Sequence, residues 1–273
     1  MTAGCDYGPM FASSGQAQLA YSSTGAGDPV LLVHAGVTDQ RSWRHLTERL
    51  APQHQVIAYD QRGYGQTTFE PEAYSPVADA VAVLDAVGVE RVAVVGCSIG
   101  GGIAVDLALE HPDRVSRLAL IAPGASGAPW LETYPEPINT LLHDPEAAEE
   151  AQNVDEVNRL EAWLWLDGPT APEGRVGGEA RNLFLDMNGI ALRSENPGEK
   201  ARRDSVWDEL GQITAPTLVL DGELDLPDQH DVCAGLADRI PDARLVTLAG
   251  VAHLPHLEND QTSLAALAEF LRP

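Results

Sequence analysis

Lysine is almost missing from this chain of 273 residues. Lys200 is the only one, so arginine supplies nearly all of the 17 basic side chains that face 41 acidic ones. The formal net charge of -24 repels phosphate backbones and anionic lipid surfaces, which argues against nucleic-acid and membrane-surface binding. Long apolar runs are missing too, and nothing approaches the roughly 18 residues that cross a bilayer. Met1 to Ser14 has no basic start followed by an apolar stretch, so a secretory signal is not expected and the cytoplasm is the default location. Cysteine is scarce. Cys5, Cys97 and Cys233 are odd in number and far apart, which fits free thiols better than a disulfide framework or a zinc site. What is present is a 44% hydrophobic chain, long enough to bury a sizeable core as one domain or as a core with an insertion.

Apolar β-branched runs alternate with helical patterns, the signature of stacked βαβ units. Strands are expected at Pro29–His34, Gln55–Tyr59, Arg91–Val95, Arg117–Ile121, Thr217–Leu220 and Arg244–Leu248, with a less apolar one around Gln18–Ser22 at a sheet edge. Ser75-Pro76 supplies an N-cap and a first-turn proline for a helix whose stripe is Val77, Ala80, Val81 and Leu84. Ile99, Ile103 and Leu107 repeat that spacing after the third strand, and Leu264, Leu267 and Leu271 line a final helix. Between about Pro123 and Val206 the rhythm breaks. Prolines 129, 135, 137 and 145 punctuate helical patterns that contain Leu160, Trp163 and Leu164, then Leu183, Phe184, Met187 and Ile190. The expected organisation is an α/β core of residues 1–123 and 206–273 carrying a helical cap of residues 124–205.

Gly96-Cys97-Ser98-Ile99-Gly100 matches G-x-S-x-G between an apolar strand and a helix. A serine in such a turn is strained, with its hydroxyl exposed and the following amide, that of Ile99, aimed at a developing oxyanion. A phosphate-binding loop is disfavoured because the turn has no lysine. A serine hydroxyl is a weak nucleophile until a base takes its proton. His253, after the last strand, stands where that base is needed, with His256 as the competitor. The base needs an acid to hold its tautomer. Asp225 lies past the Gly222 turn, and Asp221 and Glu223 are the alternatives.

These residues, in this order, resemble the α/β-hydrolase superfamily over nearly the whole chain. Asp60-Gln61-Arg62-Gly63-Tyr64-Gly65 looks like the family's D-x-R-G-x-G turn, Gly222 with Asp225 like its G-x-x-D acid loop, and His253-Leu254-Pro255 like its histidine loop. The family's oxyanion turn, H-G-x, is represented by His34-Ala35-Gly36-Val37, which departs from the pattern. The resemblance implies that Gly36 supplies the amide paired with Ile99, with Val37 as the other candidate, while His34, Asp60 and Arg62 are architectural. Cys97 precedes the nucleophile as a small buried thiol. Serine rather than aspartate at position 98 separates the chain from the dehalogenases and epoxide hydrolases of this fold.

The expected fold is therefore a mostly parallel sheet flanked by helices with a helical cap, and the expected chemistry is acyl transfer to water on a small or medium carboxylic ester. Lactone, enol-lactone or carbon–carbon substrates fit the same Ser98, Asp225 and His253, and a slow-turnover ligand receptor is the reading from another class. No metal or organic cofactor is required, and a small molecule is the expected partner. Trp130, Trp163, Trp165 and Met187 are candidates to line a pocket beneath the cap.

Overall fold

The computed structural model describes residues 10–136, 138–142, 153–201 and 203–272; Cys5, Pro137 and Pro145 lie outside them. The strands among these are β1 (Met10–Ser14), β2 (Ala17–Thr24), β3 (Asp28–Val33), β4 (His54–Tyr59), β5 (Thr68–Phe69), β6 (Val92–Cys97), β7 (Val115–Ile121), β8 (Thr217–Gly222) and β9 (Ala243–Leu248). They form a single sheet in the order β1-β2-β4-β3-β6-β7-β8-β9, with β5 alongside β2. From β4 through β9 every pairing is parallel, and β1 and β2 join antiparallel. One expectation is corrected: β2 is not at the edge, because β1 lies outside it. β1 buries Ala12 alone among its five residues, too little apolar pattern to be read as a strand.

The central strands are apolar throughout because both faces are covered. Leu31 and Val33 face one side with Val77 and Leu84 of helix α2 (Pro76–Val87), Leu107 of α3 (Ile99–Glu110) and Leu236 of a helix at Pro227–Arg239. Val30 and Leu32 face the other, with Leu46 and Leu50 of α1 (Arg44–Leu50) and with Leu264 and Leu267 of the last helix, Gln261–Phe270. The cap of α2 is as its sequence predicts: Ser75 accepts from the Ala78 amide at 3.2 Å and Pro76 opens the helix. α3 differs from expectation at its first residue. Ile103 and Leu107 are buried, but Ile99 is 37% exposed.

Between β7 and β8 the chain leaves the sheet. Its described helices there include Val154–Glu161, which continues as a π-helix over Ala162–Asp167, and Gly178–Ala191. The latter seats Phe184 and Met187 in the second core cluster. The segment returns along 197–201, where the Glu72 and Tyr74 amides donate to Pro197 and Glu199 and the Ala201 amide donates to Tyr74. No helix among the described residues is long and apolar enough to cross a membrane.

Candidate active site

The carboxyl ends of β3, β6, β8 and β9 carry the residues singled out above, the end of a parallel sheet where ligands bind. Ser98 sits between β6 and α3 at φ 54, ψ -121, a region that side-chain-bearing residues avoid and that costs on the order of 1–3 kcal/mol. Neighbours hold it there. Its amide donates to the Ile121 carbonyl at 3.0 Å, and its own carbonyl accepts from Gly102 and Gly124. Glycine is required on both sides: a Cβ at Gly96 would run into the Gly100 carbonyl, and one at Gly100 into the Val33 and His34 carbonyls. Ser98 is half-buried, and the amide of Ile99 lies in the first turn of α3, where no intrahelical acceptor exists.

Asp225 and His253 meet in a buried bond, with Nδ1 at 2.7 Å from Oδ2. The other carboxylate oxygen accepts from the Leu226 amide at 2.8 Å. A carboxylate only accepts, so Nδ1 carries the proton and the neutral ring leaves Nε2 as a bare acceptor. Nε2 is buried with no hydrogen-bond partner among the described residues, so it is not yet bonded to the Ser98 hydroxyl. Such bonds often close only when substrate is bound. Trp165, carried by the π-helix, lies with its ring centroid 4.7 Å from that of His253.

The competitors are otherwise engaged. His256 is fully buried, stacked at 4.0 Å on Trp43, and burial with no partner pushes its pKa down to about 3. Asp221 binds His230. Glu223 accepts from the Gly250 amide at 2.8 Å and braces the histidine loop. His34 accepts from the Gln61 amide at Nε2 and donates from Nδ1 to the Ala35 carbonyl, and burial lowers its pKa, so it stays neutral and ties two turns together. Arg62 is held by Asp79 and Glu72. Cys97 is buried with its thiol pushed well up by burial, and its Sγ lies 3.5 Å from the His253 carbonyl.

The Thr38 amide donates to Ala35, making Gly36 and Val37 the central pair of a turn. Gly36 faces α3: a Cβ there would lie 3.1 Å from Ile99 Cδ1. Of the four pocket candidates, Trp165 is at His253 and Trp130 lines a cavity of about 270 Å³ with Ile99. One is corrected. Met187 is fully buried core, its sulfur 3.5 Å from the Asp39 amide, because its helix packs on the sheet. Trp163 donates to the Ala171 carbonyl and packs in a cluster of the inserted segment with Leu226.

Residues without a sequence signature also shape the site. Gly168 (φ 96) approaches both loops, and a Cβ there would lie 2.5 Å from the Leu224 carbonyl and 3.2 Å from Ala252 Cβ. Arg175 reaches the Gly250 carbonyl and pairs with Glu258, which accepts from the Ala252 amide. Among the described residues no group of three or more His, Cys, Asp or Glu could hold a metal ion.

Residues 28–260 match the family described as alpha/beta hydrolase fold. A rhodomycin D methylesterase of a Streptomyces species (strain C5) is 30% identical, over 92% of this chain and 94% of its own. A 2-hydroxy-6-oxo-6-phenylhexa-2,4-dienoate hydrolase of Comamonas testosteroni is 26% identical, over 92% of this chain and 90% of its own. Among solved structures, an N-acyl homoserine lactone degrading enzyme is similar with a TM-score of 0.75 at 27% identity, covering 96% of this chain and all of that one.

Proposed function

Because the chain belongs to the α/β-hydrolase fold family, we propose that it is a serine hydrolase that cleaves a small or medium carboxylic ester through an acyl-enzyme on Ser98. The observation that carries this reading is the His253–Asp225 bond, which leaves Nε2 as a buried, unpartnered nitrogen on the loop after β9, while the strained serine follows β6 at the same end of the parallel sheet. Ser98 Oγ attacks the ester carbonyl as Nε2 takes its proton. The amides of Gly36 and Ile99 stabilise the oxyanion. His253 then returns the proton to the leaving alkoxide, and the alcohol departs. Water repeats the cycle: Nε2 removes its proton, the acyl–Oγ bond breaks, and the acid leaves with Ser98 restored. Asp225 stays ionised and stabilises the imidazolium. Residues 124–205 serve as the cap, with Trp165 covering His253. The same machinery opens lactones, a second reading favoured by the activity of the lactone-degrading neighbour.

The test is hydrolysis of short- and medium-chain p-nitrophenyl esters by wild type and Ser98→Ala. Repeated turnover is expected in the wild type, and a fall of about 10⁴-fold or more in the variant. Equal rates would overturn the reading. Wild-type inactivity on these esters with turnover of a homoserine lactone would favour the second one. A single slow turnover with product retained would move the chain to the receptor class.

A further inference from the structure

Helix α3 buries Ile103, Ala104, Val105 and Leu107, yet its first residue, Ile99, keeps 37% of its surface exposed. The exposure has a location. Ile99 lines two cavities, one of about 340 Å³ against Tyr64, Tyr74 and the return segment at Ser194 and Asn196, the other of about 270 Å³ against Ile103, Ala125, Val206 and Trp130. The first is edged by Arg62, Asp79, Glu195 and phenolic rings, and the second sets its apolar side chains beside Asp106, Lys200 and Arg203. Pro76, Ile99 and Lys200 line both cavities, and of these three Ile99 is the one that directly follows Ser98 in the nucleophile turn. Its Cδ1 also faces the Gly36 turn, at a spacing that leaves no comfortable room for a Cβ.

We propose that the Ile99 side chain is the specificity-determining group of this site: it divides an ester's apolar part, in the Trp130 cavity, from its polar part, in the Tyr64 cavity, and limits bulk beside the reacting carbonyl. This rests on the Ser98 reading. The backbone amide of Ile99 serves the oxyanion, whereas its side chain sorts substrates, so the two roles separate experimentally. A group that selects by shape changes relative rates along a substrate series, while a group that only supports the turn changes them all alike.

The experiment measures kcat/KM for p-nitrophenyl acetate, butyrate and octanoate with wild type, Ile99→Ala, Ile99→Val and Ile99→Phe. Ile99→Ala is expected to raise the octanoate-to-acetate ratio about tenfold, since one or a few methylenes of pocket space carry effects of this size. Ile99→Phe is expected to lower the ratio, and Ile99→Val to move it slightly in the alanine direction. Gly36→Ala, which pushes on Cδ1, is expected to shift the ratio in wild type but not in an Ile99→Ala background, because neighbours in contact couple. Rates that fall in parallel with unchanged ratios, or additive effects of the two positions, would overturn the proposal. Ile99→Val carries the test if a larger change prevents folding. Ser98→Ala keeps the failures distinct: activity surviving there defeats the serine reading, while its loss with unmoved ratios defeats only the role of Ile99.

Discussion

Two acids four residues apart, Asp221 at the end of β8 and Asp225 in the loop after it, each hold a histidine, and the two pairs differ in almost everything but chemistry. Asp225–His253 spans 2.7 Å with side chains 1% and 4% exposed, whereas Asp221–His230 spans 2.8 Å with His230 36% exposed. Asp225 divides its oxygens between His253 and the Leu226 amide, which fixes the carboxylate plane. Asp221 gives both oxygens to the same His230 nitrogen, and burial raises its pKa against the pull of that histidine. The second nitrogen decides the matter. In His253 it is buried and unpartnered, while the other pair holds an imidazole open to water on the helix Pro227–Arg239. An acid bonded to a histidine is a common structural tie; a pair suited to base catalysis also keeps its remaining nitrogen out of water, as His253 does.

The largest effect that could break this comparison is the exchange of each acid for its amide. Asp225→Asn can place its NH₂ against Nδ1 and favour the wrong tautomer, and is expected to lower kcat by about 10⁴-fold. Asp221→Asn should change it by no more than about threefold, since its histidine, His230, is open to solvent. Steady-state ester hydrolysis by the two variants checks both. Comparable losses would mean that the pairs work as one unit.

Much of the fold is legible in the sequence. Fully buried parallel strands announce themselves as unbroken apolar runs, and the serine, acid and histidine each sit in a short turn with its own glycine. β1 escaped because only Ala12 is buried. Spacing puts Ile99 in a buried stripe because periodicity describes a helix's middle and says nothing about what its first turn opens onto. Trp163 and Trp165 look alike in sequence, and the π-helix that aims one at His253 and leaves the other to bond Ala171 has no local signature. The Arg175–Glu258 pair and the fit of Gly168 against Leu224 and Ala252 join segments far apart in sequence. Contacts of that kind come from packing, and no spacing rule anticipates them.

Gly168 offers a sharper, intermediate test, because it touches the loop of one pair only. At φ 96 and in contact with Leu224 and Ala252, Gly168→Ala must both strain its backbone and displace neighbours of Asp225 and His253. The expected result is about 1–3 kcal/mol of lost stability and up to about 10²-fold lower kcat, the usual cost of moving reacting groups by an ångström. Proton NMR separates the pairs: the His253 Nδ1–H resonance should shift in the variant and the His230 resonance should stay. A shift confined to His230 would reverse the assignment of which pair the inserted segment supports.

The smallest effect on activity is expected at His256, a histidine with no acid at all. Both its nitrogens are buried without partners against Trp43, so a phenylalanine of similar shape removes unsatisfied polar atoms and keeps the stack. His256→Phe should leave kcat within about twofold, because the residue holds no proton that the reaction uses. Its effect belongs to acid stability. The native ring resists protonation down to about 3 against an ordinary value of 6.5, so the unfolded chain takes up a proton first as the pH falls. Linkage then makes the wild type lose stability progressively from about pH 6.5 toward pH 3, a component the variant lacks. The Tm advantage of His256→Phe should therefore widen as pH drops from 7 to 4. A gap that stays constant with pH would show that the native protein accommodates the charged ring, and would bring His256 back into contention with His253 as the base.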